Sequence, residues 1–491
     1  MADTIGIVGA GLGGLSAAIH LALRGKRVTV YEANAAAGGK AAELRREGYR
    51  FDTGPSLLTM RFVIEEIYRV ADARDDERVE FVPVDPICRY FFSDGAVLDA
   101  SADEGAFREQ VRVLSPSDAD AVTRFLDYSQ RIYDRTADIF LFNPLTELKH
   151  VLRWKNLGTL LRLPQIDPFR TVHEGVRSHF TDPRLVQLFD RYATYNGSNP
   201  YTAPATLNII PFVEYRLGAY YVRGGVYALV RSLEAIAQRL GVEFRYDARV
   251  DRITVRTGAV TGVEVDGIHH AHDAVVSNAD AVATITRLLS RTGRKSARRA
   301  ARYERLEPSC SGLVFLWGVR GQHERLAQHN IFFSEHYADE FADIFQRRIP
   351  PREPTVYVSI TSKADPAHAP KDGENWFVLV NMPYLTEENR AVDVGTVRTA
   401  VLRRLCAAGV DIEANIAFEE VITPADLEHR FAANKGSIYG VSSNTRGAAF
   451  LRPQNRISDP KGLYLCGGSA HPGGGVPLVL LSGKIAAELV E

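Results

Sequence analysis

Cysteine is scarce. Cys88, Cys310, Cys406 and Cys466 are the only four in 491 residues. They stand far apart with no CxxC pair, which disfavours a zinc site or a disulfide framework and suits a reducing compartment. An excess of one charge is also missing: Lys+Arg 59 against Asp+Glu 60 gives a formal net charge of -1. With no global field, nucleic acid is not expected as a partner. No apolar run approaches the ~18 residues that a transmembrane helix needs. The first strand pattern begins close to Met1 and leaves no room for a signal peptide. These absences predict a cytoplasmic protein with no metal site, which can still lie on a membrane surface. At this length one hydrophobic core does not suffice, so two or more domains are expected.

Glycine, by contrast, is plentiful and clustered. The apolar run Ile5-Gly6-Ile7-Val8 reads directly into Gly9-Ala10-Gly11-Leu12-Gly13-Gly14. A helix pattern from Leu15 to Leu23 follows, and Gly25 closes it. A second apolar run, Val28-Thr29-Val30-Tyr31, delivers Glu32. Strand, glycine turn, helix, strand and carboxylate is the order of a dinucleotide-binding βαβ unit. Gly9 permits the tight exit from the strand, and Gly11 lets the backbone approach a pyrophosphate. Gly14 lets helix and strand pack closely, and the helix N-terminus offers free N–H groups and a positive dipole end. Glu32 stands where a carboxylate accepts hydrogen bonds from ribose hydroxyls, and it would repel a 2′-phosphate. The segment then runs into a second glycine pair with a cation, Gly38-Gly39-Lys40.

Further along, Tyr49 to Asp52 alternates like a short strand, and Thr53-Gly54-Pro55-Ser56 forces a turn. Residues 114–192 carry helical periodicity, with a helix start at Ser115-Pro116-Ser117-Asp118. The interval Ile139 to Arg170 mixes leucines and aromatics with Lys149, His150, Arg153, Lys155 and Arg162. That pattern fits a helix lying in the headgroup plane, and equally a helix packed on its own domain. A second basic run, Arg287 to Arg305, reads first as a solvated helix face. Tyrosines crowd the loop ends between Tyr192 and Tyr221, where they suit an apolar channel with a polar rim. A hairpin is expected over Thr254–Val265, turning at Thr257-Gly258. The tail closes with the strand Leu463-Tyr464-Leu465 and Cys466-Gly467-Gly468. His471-Pro472-Gly473-Gly474-Gly475-Val476-Pro477 then opens a final helix. A helix N-terminus there could stabilise negative charge on a reduced cofactor.

Gly9 to Lys40, Ala219 to Gly225 and the tail from Leu463 to Lys484 together resemble the bacterial carotenoid desaturases of the phytoene desaturase type, within the flavin-dependent amine oxidase superfamily. Arg191-Tyr192-Ala193-Thr194-Tyr195 and Ala203-Pro204-Ala205-Thr206-Leu207 look closer to the hydroxycarotenoid 3,4-desaturase branch. The resemblance implies an α/β fold, with a discontinuous Rossmann-type FAD-binding domain, a β-sheet-plus-helix substrate domain and an inserted helical membrane-associating region. The expected division is 1–113, 219–280 and 431–491 for the FAD-binding domain. Residues 114–218 form the helical membrane and substrate-access region, and 281–430 the substrate domain. The implied cofactor residues are Gly9, Gly11, Leu12, Gly13, Gly14, Glu32, Gly39, Lys40, Gly54, Pro55, Ser56, Val250, Gly467, Gly468, Gly475, Val476 and Pro477.

The reaction so implied moves a hydride from an allylic C–H of a long polyene to FAD while the adjacent carbon loses a proton. Oxygen or a quinone then takes the electrons. A carotenoid substrate implies attachment to the inner face of the cell membrane. Glu214 and His471 are the candidates for catalysis. A salt-bridged glutamate and a structural histidine are the competing readings of those two. Phytoene desaturation, carotenoid isomerisation, amine oxidation and a noncatalytic flavin-binding or membrane-scaffold role stay open as alternatives.

Overall fold

The computed structural model describes residues 2–144, 166–289, 294–445 and 452–491. In the strand Thr4–Val8 both faces are covered, and Ile5, Ile7 and Val8 are buried. A near-continuous apolar run is what a central parallel strand requires. It sits inside a six-stranded sheet. Across that sheet run Glu243–Arg245, Arg27–Tyr31, Thr4–Val8, Ala274–Ser277, Leu463–Leu465 and Arg456–Ile457. All neighbours are parallel except the last pair. Strands from the beginning, middle and end of the chain thus share one sheet.

The first helix, Leu12–Leu23, lies along the final helix, Val476–Leu489. Small residues set their separation: Ala17, Ala18, Ala486 and Ala487 are buried between them. The Ser16 hydroxyl donates to the Leu480 carbonyl at 2.7 Å. A Cβ on Gly483 would stand 2.3 Å from the Gly13 carbonyl oxygen and 2.8 Å from the Ala17 nitrogen. Both obstacles are backbone, so no side chain can swing aside.

A second, seven-stranded sheet runs Ile416–Ile422, Ser311–Arg320, Gly373–Met382, Val356–Ile360, His329–Phe332, Cys88–Phe91, Val97–Ala100. Its pairs are antiparallel except His329–Phe332 with Cys88–Phe91. The segment 1–113 therefore contributes strands to both sheets. Alternation sorts the faces. Leu313, Phe315 and Trp317 pack on one side with Val397, Val401 and Leu405 of the helix Val394–Ala407. Val314, Leu316 and Phe377 face the other way, onto Tyr49, Phe51 and Phe418.

Helices dominate between the sheets' N-terminal strands. Glu104–Leu114 is capped by Asp103, whose carboxylate accepts from the Ala106 N–H at 2.7 Å. Ala119–Phe140 buries Val122, Phe125, Leu126 and Ile132, an i, i+3, i+4 stripe that meets Phe180, Leu185 and Phe189. Of the amphipathic interval Ile139 to Arg170, residues 145–165 lie outside the described residues. The second basic run forms the helix Arg294–Glu304, with Ala300 turned inward, and residues 290–293 likewise lie outside. The expected hairpin is present as Val250–Arg256 paired with Ala259–Val265. Among the described residues no helix is long and apolar enough to cross a membrane.

Gly483→Val inserts a branched side chain where two backbones touch. The folded state is expected to lose about 1–3 kcal/mol or more, read as a lowered urea midpoint together with reduced retention of flavin.

Candidate active site

The N-terminal turn is held open by the strands that flank it. Gly9 N donates to the Tyr31 carbonyl at 2.8 Å, and Gly9 itself adopts φ 94°. No side chain caps the first helix at Gly11. The N–H groups of Leu12, Gly13 and Gly14 therefore remain available at a positive dipole end. Gly38 N donates to the Ala10 carbonyl at 3.0 Å, laying the Gly38-Gly39 pair against the turn. The Glu32 carboxylate accepts from Ala10 N at 2.7 Å and from Asn34 N at 2.9 Å. Ala248 N donates to the Glu32 carbonyl at 2.8 Å, so the stretch leading to Val250 runs beside Glu32.

The tail meets this turn directly. Asn278 Nδ2 donates to the Gly9 carbonyl at 3.3 Å. A Cβ on Gly13 would lie 2.6 Å from Asn278 Oδ1 and 2.9 Å from the Gly467 Cα, and a Cβ on Gly467 would also lie 2.6 Å from Asn278 Oδ1. The final helix begins at Val476-Pro477 behind Gly475 (φ 101°), again with no side-chain cap. Nothing stands within 4 Å of a Cβ built on Gly475. Arg452 is buried nearby, donating to the carbonyls of Tyr439 and Gly468 at 3.1 Å and to the Asn196 side chain at 2.5 Å. Among the described residues it has no carboxylate partner, and burial pulls its guanidinium down to about 10. Two uncapped helix N-termini, bare glycine turns and an unneutralised cation are a donor set suited to a diphosphate and an electron-rich ring. The residues fit a flavin dinucleotide.

Lys40 points elsewhere than along the turn. Its Nζ donates to the carbonyls of Ser437 and Ile438 at 3.1 and 2.7 Å, and loss of hydration pulls it down to about 8. Gly54 passes so close to the Lys40 carbonyl that a Cβ would stand 2.1 Å from its oxygen. Pro55 follows, and the Ser56 hydroxyl meets the Tyr357 hydroxyl at 2.6 Å, joining this turn to the seven-stranded sheet.

Glu214 lies apart from the glycine turns, completely buried in the short helix Ile209–Tyr215. Its Oε1 accepts from Tyr192 at 2.6 Å and from Arg191 Nη2 at 3.1 Å, and its Oε2 accepts from Tyr195. The Arg191 guanidinium stacks on Tyr192 at 4.2 Å, Tyr90 at 5.1 Å and Tyr195 at 5.4 Å. Burial pushes the phenols of Tyr192 and Tyr195 well above their usual range, which keeps them donors. Tyr192 and Tyr195 of the expected tyrosine-lined region, with Tyr90, thus form a jacket around one ion pair.

His471 is also buried. Its Nε2 meets the Asn143 carbonyl at 3.0 Å, and its own carbonyl accepts from Asn455 and Ser482 at 2.9 and 2.6 Å. Burial pulls the imidazole down to about 4, so the ring is a neutral tie between the tail and the end of the helix Ala119–Phe140. Sequence reading did not single out Asn278, Arg452 or the Ser56–Tyr357 link. Only an asparagine at the end of an apolar strand offered a local signal, in Val276-Ser277-Asn278.

Residues 12–491 match the family described as flavin containing amine oxidoreductase. A 1-hydroxycarotenoid 3,4-desaturase of Flavobacterium sp. (strain P99-3) is 37% identical, over 99% of this chain and 98% of that one. The chain belongs to the flavin-containing amine oxidoreductases and, within them, to the bacterial carotenoid desaturase family. A 4,4'-diapolycopene oxygenase of Methylomonas sp is likewise 37% identical, over 99% of this chain and 97% of that one. Among solved structures, an oxidoreductase from Methanosarcina mazei matches with a TM-score of 0.65 at 18% identity, over 99% of this chain and all of that one. Cyclohexylamine oxidase from Brevibacterium oxydans matches with 0.62 at 14%, over 99% and 98%. These two establish the shared fold. The cofactor of the family is FAD.

Two measurements follow from the buried groups. Glu214→Leu leaves Arg191 charged and unpaired in the interior, and urea unfolding is expected to show a loss of about 3–5 kcal/mol. Most of that returns in the double variant Arg191→Met/Glu214→Leu. His471 and His20 are both held near 4 by burial, against 6.5 when exposed. Below pH 6.5 the unfolded chain binds protons that the folded chain refuses, so stability falls as pH drops from 6.5 to about 4. His471→Asn is expected to flatten part of that slope in a pH series of urea midpoints. An unaltered slope would mean that the folded chain protonates His471 freely.

Proposed function

We propose that this protein is an FAD-dependent carotenoid desaturase acting on a long apolar polyene, with 1-hydroxycarotenoid 3,4-desaturation as its reaction. The end-to-end likeness to the Flavobacterium enzyme carries this reading. Bound FAD supplies the two-electron acceptor for an allylic hydride while the adjacent carbon loses a proton, and oxygen or a quinone then takes the electrons.

The chain's own residues have separable tasks in this proposal. The amides of Leu12, Gly13 and Gly14 hold the diphosphate, assisted by Gly9, Gly11 and Gly39. Glu32 binds ribose hydroxyls and the Val250 backbone meets the adenine. Gly54, Pro55 and Ser56 bring backbone to the flavin ring. Gly467, Gly468, Gly475, Val476 and Pro477 aim the final helix at the ring, with Arg452 adding positive charge where electrons arrive. Lys40 secures the Ser437-Ile438 loop of the wall through its two carbonyls rather than the diphosphate. Glu214 sets the position of Arg191 and its tyrosines beneath the polyene, and His471 fixes the tail loop. In this proposal the discontinuous FAD-binding domain, the helical region and the substrate domain keep the expected division, except that Cys88–Phe91 and Val97–Ala100 lend strands to the substrate sheet.

A polyene of this kind dissolves in lipid, which supports a position on the membrane surface, with the cationic and aromatic interval Ile139 to Arg170 as the contact. The Methylomonas relative supports a second reading, oxygenation of the polyene, at the same identity.

Purified protein with FAD and liposomes carrying either a 1-hydroxylated carotenoid or phytoene separates these readings under anaerobic conditions. Flavin bleaching, a red-shifted polyene and a product two hydrogens lighter are expected with the hydroxylated substrate alone. The same changes with phytoene alone would reassign the substrate. A product that gains oxygen only on admission of air would favour the oxygenase. No spectral change with either substrate, in FAD-loaded protein that floats with the liposomes, would overturn the proposal.

A further inference from the structure

On the face of the seven-stranded sheet turned away from the helix Val394–Ala407, two facing residues, His329 and Ser359, each leave a buried polar atom without a hydrogen-bond partner among the described residues, Nε2 and Oγ respectively. His329 opens the strand His329–Phe332 directly opposite Ser359, and Ile331 stands opposite Tyr357. By alternation, His329, Ile331, Tyr357 and Ser359 share this face, while Phe332, Val356 and Val358 pack on the other. Ile331 joins Tyr90, Tyr192 and Tyr215 in the core of the helical region, so the face looks toward the Arg191–Glu214 pair.

His329 is 1% exposed. Its Nδ1 meets the Tyr357 hydroxyl at 2.8 Å, and the same hydroxyl meets Ser56 Oγ at 2.6 Å. Its Nε2 is buried and has no hydrogen-bond partner among the described residues. Burial, with Arg191 nearby, pulls the imidazole down to about 3, so the ring is neutral. A neutral imidazole presents at Nε2 either an N–H or a lone pair, as the Tyr357 bond dictates. Buried polar atoms of this kind are almost always paired. An uncharged group able both to donate and to accept satisfies either tautomer, and an alcohol on an otherwise apolar chain supplies one. An all-hydrocarbon end group would leave the nitrogen unpaired. A carboxylate would enter an interior where the nearby Arg191 guanidinium is already neutralised by Glu214.

We propose that His329 is the recognition point for the hydroxylated end group of the polyene. The inference rests on the desaturase reading above and deepens it. In a 1-hydroxylated chain desaturated at the 3,4 bond, one carbon separates the hydroxyl-bearing carbon from that bond. The recognising group must therefore stand close to the place where the hydride leaves. His329 meets this requirement because one phenol, Tyr357, joins it to Ser56 in the turn assigned to the flavin ring. Tyr357 fixes the imidazole, Nε2 takes the hydroxyl, and the 3,4 bond is held in register with the cofactor. Tyr357 is a positioning residue in this scheme and His329 a specificity-determining one.

The test compares a 1-hydroxylated carotenoid with the same polyene lacking the hydroxyl, using the full FAD-loaded chain in detergent micelles. Affinity is read from the polyene absorption shift and turnover as kcat/KM, with flavin content per chain checked for every variant. The wild-type enzyme is expected to favour the hydroxylated polyene by about 10- to 100-fold in both readouts. His329→Phe collapses that ratio toward one, and His329→Gln, which keeps an amide able to pair, retains part of it. If His329→Phe does not accumulate as flavin-loaded protein, the His329→Gln ratio decides, since an undiminished preference there overturns the assignment. A parallel loss for both polyenes in either variant would make His329 structural and also overturn it. Equal binding and turnover of both polyenes by the wild type would overturn the subsite and leave the desaturase intact. Binding and turnover of neither would overturn both.

Discussion

Three glycines from two turns converge on the side chain of Asn278, and the absence of Cβ atoms at that point is the constraint on which the rest depends. Gly11, Gly13 and Gly467 all approach the amide to within distances that no Cβ tolerates. The strand ending in Ser277 sits between the strands that end in Val8 and Leu465, so its terminal amide lies where the first and last loops meet. Any side chain there pushes the loops apart. The first helix would then no longer reach the final one, and the two uncapped N-termini would no longer flank a common space.

The second sheet solves a different problem. One face is sealed by a helix, while the other is shared between the glycine-rich domain and the helical region. Apolar residues dominate that shared face, yet it carries a phenol and an imidazole and looks toward an ion pair held on the helices. Each charge is compensated within reach: Arg191 by Glu214, and both by tyrosine hydroxyls. An interior arranged this way admits a hydrocarbon without facing it with a bare charge.

Much of the glycine-rich half was legible because its signals are local. Strand, turn and helix between Thr4 and Tyr31 follow from residues a few positions apart, as do the hairpin at Thr257-Gly258 and the final helix behind Gly475. Nothing in the sequence of the strand Cys88–Phe91 says which sheet it joins. That depends on pairing with His329–Phe332. Side-chain partners were less legible still. Lys40 stood beside two glycines and looked like a phosphate ligand, whereas its ammonium reaches carbonyls 397 and 398 positions away. Glu214 could be suspected of pairing, but not with a particular arginine. The Ser56–Tyr357 bond spans 301 positions, and local pattern carries no information about such contacts.

The discontinuity of the parallel sheet has a consequence for how the molecule comes into being. The Ser16 hydroxyl and its acceptor at Leu480 are separated by 464 positions, so all of that intervening chain must be made before the first helix can meet its counterpart. Chains emerge at about 5–20 residues per second. The glycine-rich N-terminal unit therefore keeps an open flank until the final helix has been made, while the strands of the seven-stranded sheet are all complete before it. A chain that lost only its helix Val476–Leu489 would keep every strand of the seven-stranded sheet but lack one wall of the nucleotide cleft.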